Sequence, residues 1–197
     1  LLLVNDFTAL AMALPHLGSA DTRQLGGGQV QAGGVVGLLG PGEGLGVSGL
    51  IPTEDRRITL GSEGGHISFA PSDETELAIL QAAWRRWPHV SAERLVSAEG
   101  LRFIWTHLPD GPAPDPVAAQ VAAPSAEDII VQAHAGDRRS GDAVAVFARM
   151  LATVAADVAL MLGAVGGVYL GGNLLPRLGG LLDAAGFRQR FESKGRF

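Results

Sequence analysis

Cysteine is absent from the 197-residue chain, and lysine occurs only once, at Lys194. Without cysteine the protein has no disulfide framework, no thiolate nucleophile and no cysteine-ligated zinc site. Acidic residues outnumber Lys and Arg by 20 to 15, which gives a formal net charge of −5. Because nucleic-acid backbones are bound by clustered basic side chains, this balance argues against nucleic acid as the main partner. The lack of cysteine also fits a cytoplasmic protein.

Long apolar runs are scarce, and the longest one extends from Ala143 to Leu162. It is long enough for a membrane span, but it contains Arg149 and Asp157. A charge at the centre of a bilayer costs about 2.5–3.5 kcal/mol. We therefore predict a buried core helix here and no membrane association.

The chain begins with Leu1-Leu2-Leu3-Val4, without an initiator Met and without the basic segment of a secretory signal. This apolar run is typical of the end of a buried strand. The last residues follow a helical pattern that has no obvious terminal cap. We therefore expect the chain to be a fragment of a longer protein.

Short apolar runs alternate with glycine-rich turns and Ala-rich segments, which predicts an α/β fold. The predicted strands are Leu1–Val4, Val35–Leu39, Arg57–Leu60, Ile67–Phe69 and the run before Gly171. The predicted helices are Phe7–Leu14, Glu74–Trp87 with Leu77, Leu80 and Trp84 on one face, a helix from Ser91, several after Ser125, and Leu174–Ala185. The proline-rich segment 109–124 is predicted to be a loop.

Asn5 and Asp6 stand where the first strand meets the first helix. One interpretation is that the acid caps the helix through its side-chain oxygens. The other is a carboxylate at the carboxyl end of a strand, where α/β folds bind ligands. Such a group could accept a proton from a substrate hydroxyl.

Two glycine-rich segments have either a structural or a ligand-binding interpretation. In 40–46 four glycines alternate with other residues, which suits a tight turn or a backbone cradle for an anion. The segment matches neither the dinucleotide pattern nor a P-loop. In 166–173 a short strand ends in Gly171-Gly172, which suits ordinary strand-to-helix punctuation or the close approach of a ring or phosphate.

A second polar set consists of Glu63, His66 and Glu93. Their carboxylates and imidazole could hydrogen-bond the vicinal hydroxyls of a sugar. The alternatives are a satisfied histidine at a strand start and an exposed glutamate on an amphipathic helix. Glu63 and His66 alone supply too few ligands for a metal, so no metal site is predicted.

Taken in order, these segments resemble the bacterial glucokinase family, the non-ROK branch of the hexokinase and actin-like ATPase superfamily. Their order and spacing span nearly the whole chain, which is far more specific than any single motif. The ROK sugar kinases carry a cysteine-rich zinc motif, which this chain lacks. The matching stretches are VNDFTALAMALP (4–15), GPGEGLGV (40–47), SEGGHISFAP (62–71), HVSAERLVS (89–97), GGVYLGGNLLPR (166–177) and AGFRQRFESKGRF (185–197).

The resemblance implies an α/β chain of the actin-like ATPase (ribonuclease H-like) fold, mostly its large C-terminal domain. Residues 1–15 would end the N-terminal lobe and form the interdomain crossing. Residues 16–197 would form the large sugar- and nucleotide-binding domain, incomplete at its C-terminus. The implied activity is ATP- and Mg²⁺-dependent phosphorylation of glucose at its 6-hydroxyl, in a cytoplasmic enzyme that is expected to form a homodimer.

The resemblance also implies a role for each candidate residue. Asp6 would be the general base for the sugar hydroxyl. The residues that would bind the other glucose hydroxyls are Asn5, Glu63, His66 and Glu93. The residues that would bind the nucleotide are Gly42, Gly44 and Gly46 in a phosphate loop, and Gly171 and Gly172 in an adenosine turn.

Three departures from the family pattern bear on activity. Glu43 stands where the family's phosphate loop has Thr, and Glu99 adds an acid after the sugar-binding glutamate. The N-terminal D-x-G-G-T-N phosphate motif is absent from these residues. We therefore expect this chain to be inactive by itself. The alternative is a sugar-binding protein of the same fold that has lost catalysis.

Overall fold

A four-stranded mixed sheet frames the fold in the computed structural model, which describes residues 4–109 and 123–196. The strand order is β3-β2-β1-β4. Adjacent strands β1, β2 and β3 are antiparallel, whereas β4 runs parallel to β1. The strands are β1 (Val36–Pro41), β2 (Leu45–Pro52), β3 (Arg57–Ser62) and β4 (Val168–Leu170).

Helices surround this sheet and supply most of the core. Three short 3₁₀ turns cover Leu14–His16, Gly64–His66 and Gly179–Leu181. The α-helices in the described residues are α1 (Asp6–Ala13), α2 (Glu74–Trp84), α3 (Ala92–Leu95), α4 (Ala98–His107), α5 (Ala126–His134), α6 (Arg138–Leu162), α7 (Leu175–Leu178) and α8 (Ala184–Glu192).

The predicted core helix is confirmed as α6, which packs against α4, α5, α8 and β1. It begins after Asp137, whose side chain accepts the N–H of Ser140 at 2.8 Å. It ends at Gly163, whose positive φ of 58° suits a residue without a Cβ. By length and composition this helix could cross a membrane, but 67% of its apolar window is buried inside the protein. The burial accounts for its apolar composition.

Several predicted strand and loop boundaries differ from the structure. Segment 67–69 makes only an isolated bridge, Ser68 to Ser91, and does not join the sheet. Strand β2 had no counterpart among the predicted strands, although its pairing with β1 creates the central hairpin. The predicted first strand falls on residues 1–3, outside the described residues, and Val4 lies in no strand. Most of the predicted loop, residues 110–122, also lies outside the described residues.

The apolar face predicted for α2 is only partly buried. Leu77 and Trp84 are 40% and 55% exposed, whereas Glu76 is fully buried. Glu76 pairs with Arg190 of α8 on the side of α2 that faces the core. Leu80, the third residue of the predicted face, is buried beside Ile79 and Ala83, so the apolar pattern located part of the buried face but not the charged residue that completes it.

The predicted continuous helix over 174–185 is divided in two. Helix α7 ends at Gly179, where φ is 49°, and the chain then forms a 3₁₀ turn. Helix α8 begins after Asp183, whose side chain accepts the N–H groups of Ala185 and Gly186 at 3.1 and 3.0 Å. The new N-cap and the positive-φ glycine together explain the break.

Candidate active site

Two candidate polar residues lie at the start of α1: Asn5 directly precedes the helix, and Asp6 is its first residue. Asn5 is the N-cap: its Oδ1 accepts the N–H of Phe7 at 2.9 Å and that of Thr8 at 3.3 Å. Asp6 is the first helical residue, and its Oδ1 accepts the Phe7 N–H at 2.8 Å. The other carboxylate oxygen of Asp6 makes no hydrogen bond within the described residues, and both side chains are exposed. Asn5 thus performs the capping, while Asp6 keeps an oxygen open to a ligand.

Phe7 fixes this helix start on the hairpin formed by β1 and β2. Its ring is 8% exposed and lies directly over Gly46, where a Cβ atom would overlap the ring. Farther along α1, Leu10 packs against Gly171, where a Cβ would lie 2.9 Å from its Cδ2. Helix α1 is therefore seated against both glycine-rich segments, and Asp6 is held beside the hairpin.

Gly46→Ala is expected to destabilise the protein by about 1–3 kcal/mol, because the added methyl group must displace a ring in a packed interface. The measurement is the free energy of unfolding from chemical denaturation. A Phe7→Leu substitution in the Gly46→Ala background should recover part of the loss.

Gly141→Ala is the matched control. Gly141 lies inside α6, and a Cβ there would meet nothing within 4 Å. Reduced entropy of the unfolded chain should stabilise this variant by about 0.4–1 kcal/mol. Equal effects at the two glycines would contradict the role of Gly46 as a docking surface.

The turn of the hairpin is stabilised by three hydrogen bonds. The N–H of Gly42 donates to the Gly44 carbonyl at 2.8 Å, and the Gly42 carbonyl accepts the N–H of Ala98 at 2.8 Å. The N–H of Leu45 donates to Oε2 of Glu93 at 2.9 Å. The side chain of Glu43 is exposed at the tip. An anion at this turn would therefore be met by its remaining N–H groups, those of residues 43 and 44.

The second glycine segment lies against the same hairpin. The N–H of Gly171 donates to the Leu39 carbonyl at 2.9 Å. A Cβ at Gly40 would overlap the backbone of Gly171, so only glycine allows this approach. Gly172 has a φ of 88°, and Asn173 follows it with its Oδ1 3.0 Å from the Cβ position of Gly42. Asn173 was not among the predicted site residues, although it directly follows the Gly171-Gly172 pair.

The three residues of the second polar set converge near the start of β2. Glu63 precedes the 3₁₀ turn that ends in His66, and their side chains approach to 3.9 Å. Gly65 lies so close to the Leu45 carbonyl that a Cβ would overlap it. Helix α3 joins this group because the N–H of Ala92 donates to the Ile67 carbonyl at 2.8 Å. That bond brings Glu93 to the same place.

The carboxylate of Glu99, the additional acid, forms ion pairs with two arginine side chains. One of its oxygens lies 2.9 Å from Nη1 of Arg102, and the other lies 3.7 Å from Nη1 of Arg86. Its position in the first turn of α4 is favourable for a negative charge. The negative charge of Glu99 is therefore balanced by the neighbouring arginines and by the helix start.

The site thus brings together an exposed carboxylate at a helix start, two glycine turns and three further polar side chains around one hairpin. Among residues 4–109 and 123–196, no three His, Cys, Asp or Glu side chains form a metal-binding group. The arrangement can hold a polyhydroxylated ligand beside backbone N–H groups and offer it a carboxylate as a proton acceptor.

The fold is that of the sugar kinases with the actin-like ATPase architecture. A glucokinase from an Antarctic psychrotroph matches 98% of this chain and 59% of its own length, with a TM-score of 0.84 and 31% identity. A glucokinase from Balamuthia mandrillaris in complex with glucose has a TM-score of 0.71 at 16% identity. A ROK hexokinase from Thermus thermophilus has a TM-score of 0.62 at 20% identity.

The chain belongs to the glucokinase family, whose model matches residues 1–197. It is 52% identical over 199 residues to the bifunctional protein glk of Burkholderia pseudomallei. It is 46% identical over 203 residues to a glucokinase of Ralstonia nicotianae. The chain spans 30% of the first relative and 58% of the second.

Proposed function

We propose that this chain is the sugar-binding and larger catalytic part of a non-ROK glucokinase that phosphorylates D-glucose at the 6-hydroxyl with ATP. The observation that carries the proposal is the seating of α1. Phe7 packs on Gly46 and holds the exposed Asp6 carboxylate beside the hairpin at which Glu63, His66 and Glu93 converge. Relatives named glucokinase support an enzymatic role, and the absence of cysteine supports the non-ROK branch.

In this proposal Asp6 accepts the proton of the 6-hydroxyl as that oxygen attacks the γ-phosphorus of ATP, whose bond to the β–γ bridging oxygen breaks and releases ADP. The other hydroxyls of glucose are held by Asn5, Glu63, His66 and Glu93. Carboxylates accept hydrogen bonds from hydroxyls, whereas amide and imidazole groups can both donate and accept. Phosphoryl transfer depends mainly on positioning and charge stabilisation, so a pre-arranged set of hydrogen-bonding groups suits it.

The nucleotide would lie at the two glycine-rich segments against which α1 is seated. The phosphates would meet the loop formed by Gly42 and Gly44 in the turn and by Gly46 at the start of β2, and the adenosine would lie at Gly171 and Gly172. Mg²⁺ binds through one or two carboxylates together with substrate phosphates and waters, and Glu43 at the tip of the turn is the carboxylate that would fit this role. When bound, the ion neutralises the charge on the phosphates.

We further propose the domain assignment implied by the family resemblance. Residues 1–15 would end an N-terminal lobe and cross between domains, and residues 16–197 would belong to the large domain. The D-x-G-G-T-N phosphate motif does not occur in these 197 residues, so this chain alone would be inactive. The full-length enzyme would be a cytoplasmic homodimer that binds neither nucleic acid nor membrane.

The test is a coupled glucose-6-phosphate assay on the full-length protein with ATP and Mg²⁺, beside calorimetric glucose binding. A kinase gives turnover that depends on both substrates, and the 197-residue chain gives none. Glucose binding without any turnover in the full-length protein would favour the sugar-binding protein that has lost catalysis. Mannose and glucosamine, each differing from glucose at one hydroxyl, would define the sugar preference in the same assay.

A further inference from the structure

The carboxylate of Glu93 lies directly against the turn of the glycine hairpin. Its Oε2 accepts the N–H of Leu45 at 2.9 Å. A Cβ atom on Gly44 would be 2.5 Å from the same oxygen. A candidate sugar-binding side chain is thus in contact with the candidate phosphate loop, and a side chain at position 44 would push the Glu93 carboxylate away from it.

Leu45 links the candidate sugar-binding residues to the hairpin that carries the candidate phosphate loop. Its N–H is held by Glu93, and its carbonyl packs against Gly65, between Glu63 and His66. Its neighbour Gly46 supports the ring of Phe7. A shift of Leu45 would therefore displace the candidate sugar-binding residues and the start of α1.

Two tethers connect the hairpin turn to the region of α3 and α4. One joins backbone groups: the N–H of Ala98 donates to the Gly42 carbonyl at 2.8 Å. The other depends on the side chain of Glu93. The backbone tether is present whatever side chain stands at position 93, whereas the second exists only when that side chain can accept a hydrogen bond.

We propose that Glu93 is a positioning residue that couples sugar binding to the nucleotide loop. The proposal rests on the proposed glucokinase function. Oε2 of Glu93 holds the Leu45 N–H, whereas Oε1 makes no hydrogen bond within the described residues. A sugar hydroxyl that donates to Oε1 fixes the whole planar carboxylate, so it also fixes Oε2 and the hairpin. Occupation of the sugar site thereby orders the loop that receives the nucleotide phosphates.

The test compares Glu93→Ala and Glu93→Gln in the full-length protein. Loss of a hydrogen bond to a charged group should raise the KM for glucose about tenfold or more in both variants. Glu93→Ala also removes the acceptor for Leu45, so its KM for ATP at saturating glucose should rise about tenfold. The glutamine keeps a carbonyl oxygen for that N–H, so its KM for ATP should stay within about threefold of the wild-type value.

Glu63→Ala is the matched control, because Glu63 belongs to the same sugar set but makes no hydrogen bond to the hairpin. It should raise the KM for glucose and leave the KM for ATP unchanged. Hydrogen exchange of the segment around Leu45 gives a readout that does not require turnover. Saturating glucose should slow this exchange in the wild-type and Glu63→Ala proteins, but not in Glu93→Ala.

The outcomes separate the coupling from the function on which it rests. If the wild-type protein turns over and Glu93→Ala raises only the KM for glucose, as Glu63→Ala does, the coupling is overturned while the glucokinase function stands. If the wild-type protein binds glucose without turnover, the proposed function fails, and exchange at Leu45 decides the coupling. Glucose-independent exchange at Leu45 in the wild-type protein overturns the coupling in either case.

Discussion

Asp6→Asn in the full-length protein is expected to lower kcat by about 10²–10⁴ while glucose still binds. The asparagine has the same shape, and its carbonyl oxygen can still accept the Phe7 N–H that Oδ1 of Asp6 accepts at 2.8 Å. Helix α1 should therefore stay seated on Gly46. What the variant loses is the group that takes the proton of the sugar hydroxyl. The measurement is kcat in the coupled assay, with glucose affinity from calorimetry.

Asp21→Asn is the control for Asp6→Asn. Asp21 is also an exposed aspartate whose side chain accepts a backbone N–H, from Gly18 at 2.8 Å, but it belongs to no candidate site. Its kcat should equal that of the wild-type protein. An Asp6→Asn enzyme that kept its kcat within about threefold would exclude Asp6 as the general base, because a base contributes at least about 10².

Arg190→Ala is expected to lower the free energy of unfolding by about 3–5 kcal/mol, the largest stability effect that we anticipate. Nη2 of Arg190 contacts Oδ2 of Asp73 at 2.8 Å and Oε1 of Glu76 at 2.5 Å. Glu76 is fully buried, and its other oxygen accepts the N–H of Ser72 at 2.7 Å. Removing the guanidinium leaves a buried carboxylate without its closest cation and removes the ion pair that joins α8 to α2.

The loss caused by Arg190→Ala should depend on pH. Burial raises the pKa of Glu76 above its ordinary value, although the Ser72 N–H and the cations of Arg190 and Arg149 act in the opposite direction. A raised carboxyl pKa makes the folded state bind the proton more tightly, so Glu76 reduces stability as the pH rises above about 4.5. Without Arg190 this reduction becomes larger. The stability difference between the variant and the wild-type protein should therefore be smaller at about pH 4 than at about pH 7.

Chemical denaturation at several pH values checks both parts of this expectation. Arg138→Ala is the control, because the ion pair of Arg138 with Asp142 spans 3.7 Å and the Arg138 side chain is 88% exposed. Exposed pairs contribute no more than about 1 kcal/mol, so this variant should be nearly as stable as the wild-type protein. Two results would contradict the role assigned to the group of Arg190, Asp73 and Glu76. One is a loss of unfolding free energy in Arg190→Ala as small as that in Arg138→Ala. The other is a stability difference between Arg190→Ala and the wild-type protein that is larger at about pH 4 than at about pH 7.

Local signals in the sequence predicted several elements correctly. Ser91 is the N-cap of α3 and accepts the N–H of Arg94, as its small hydroxyl side chain suggested. The apolar run from Ala143 lies inside α6, and the run before Gly171 is β4. Each of these depends on neighbours within one or two turns of the chain, so the information is present in a short stretch of sequence.

The remaining features depend on residues that are distant in the sequence. The burial of Glu76 requires Arg190, the fit of Phe7 requires Gly46, and the anchoring of Leu45 requires Glu93. Periodicity indicates which residues are apolar, but it does not show which charged side chain will find a partner in the core. The helical character of α2 was therefore predicted correctly, but its buried face only in part, since Leu80 is buried whereas Leu77 and Trp84 are exposed.

The sequence by itself determined the α/β class, the two glycine-rich turns and the membership of the glucokinase family, because composition and short motifs carry that information. The assignment of roles to Asp6, Glu63, His66 and Glu93 stays a prediction. Only the tertiary structure decided that these residues surround one hairpin and that Glu93 holds its turn. The physical reason is that packing and hydrogen bonds between distant segments depend on the geometry of the whole fold. The role of a glycine such as Gly46 or a carboxylate such as that of Glu93 is therefore defined by the residues that it contacts.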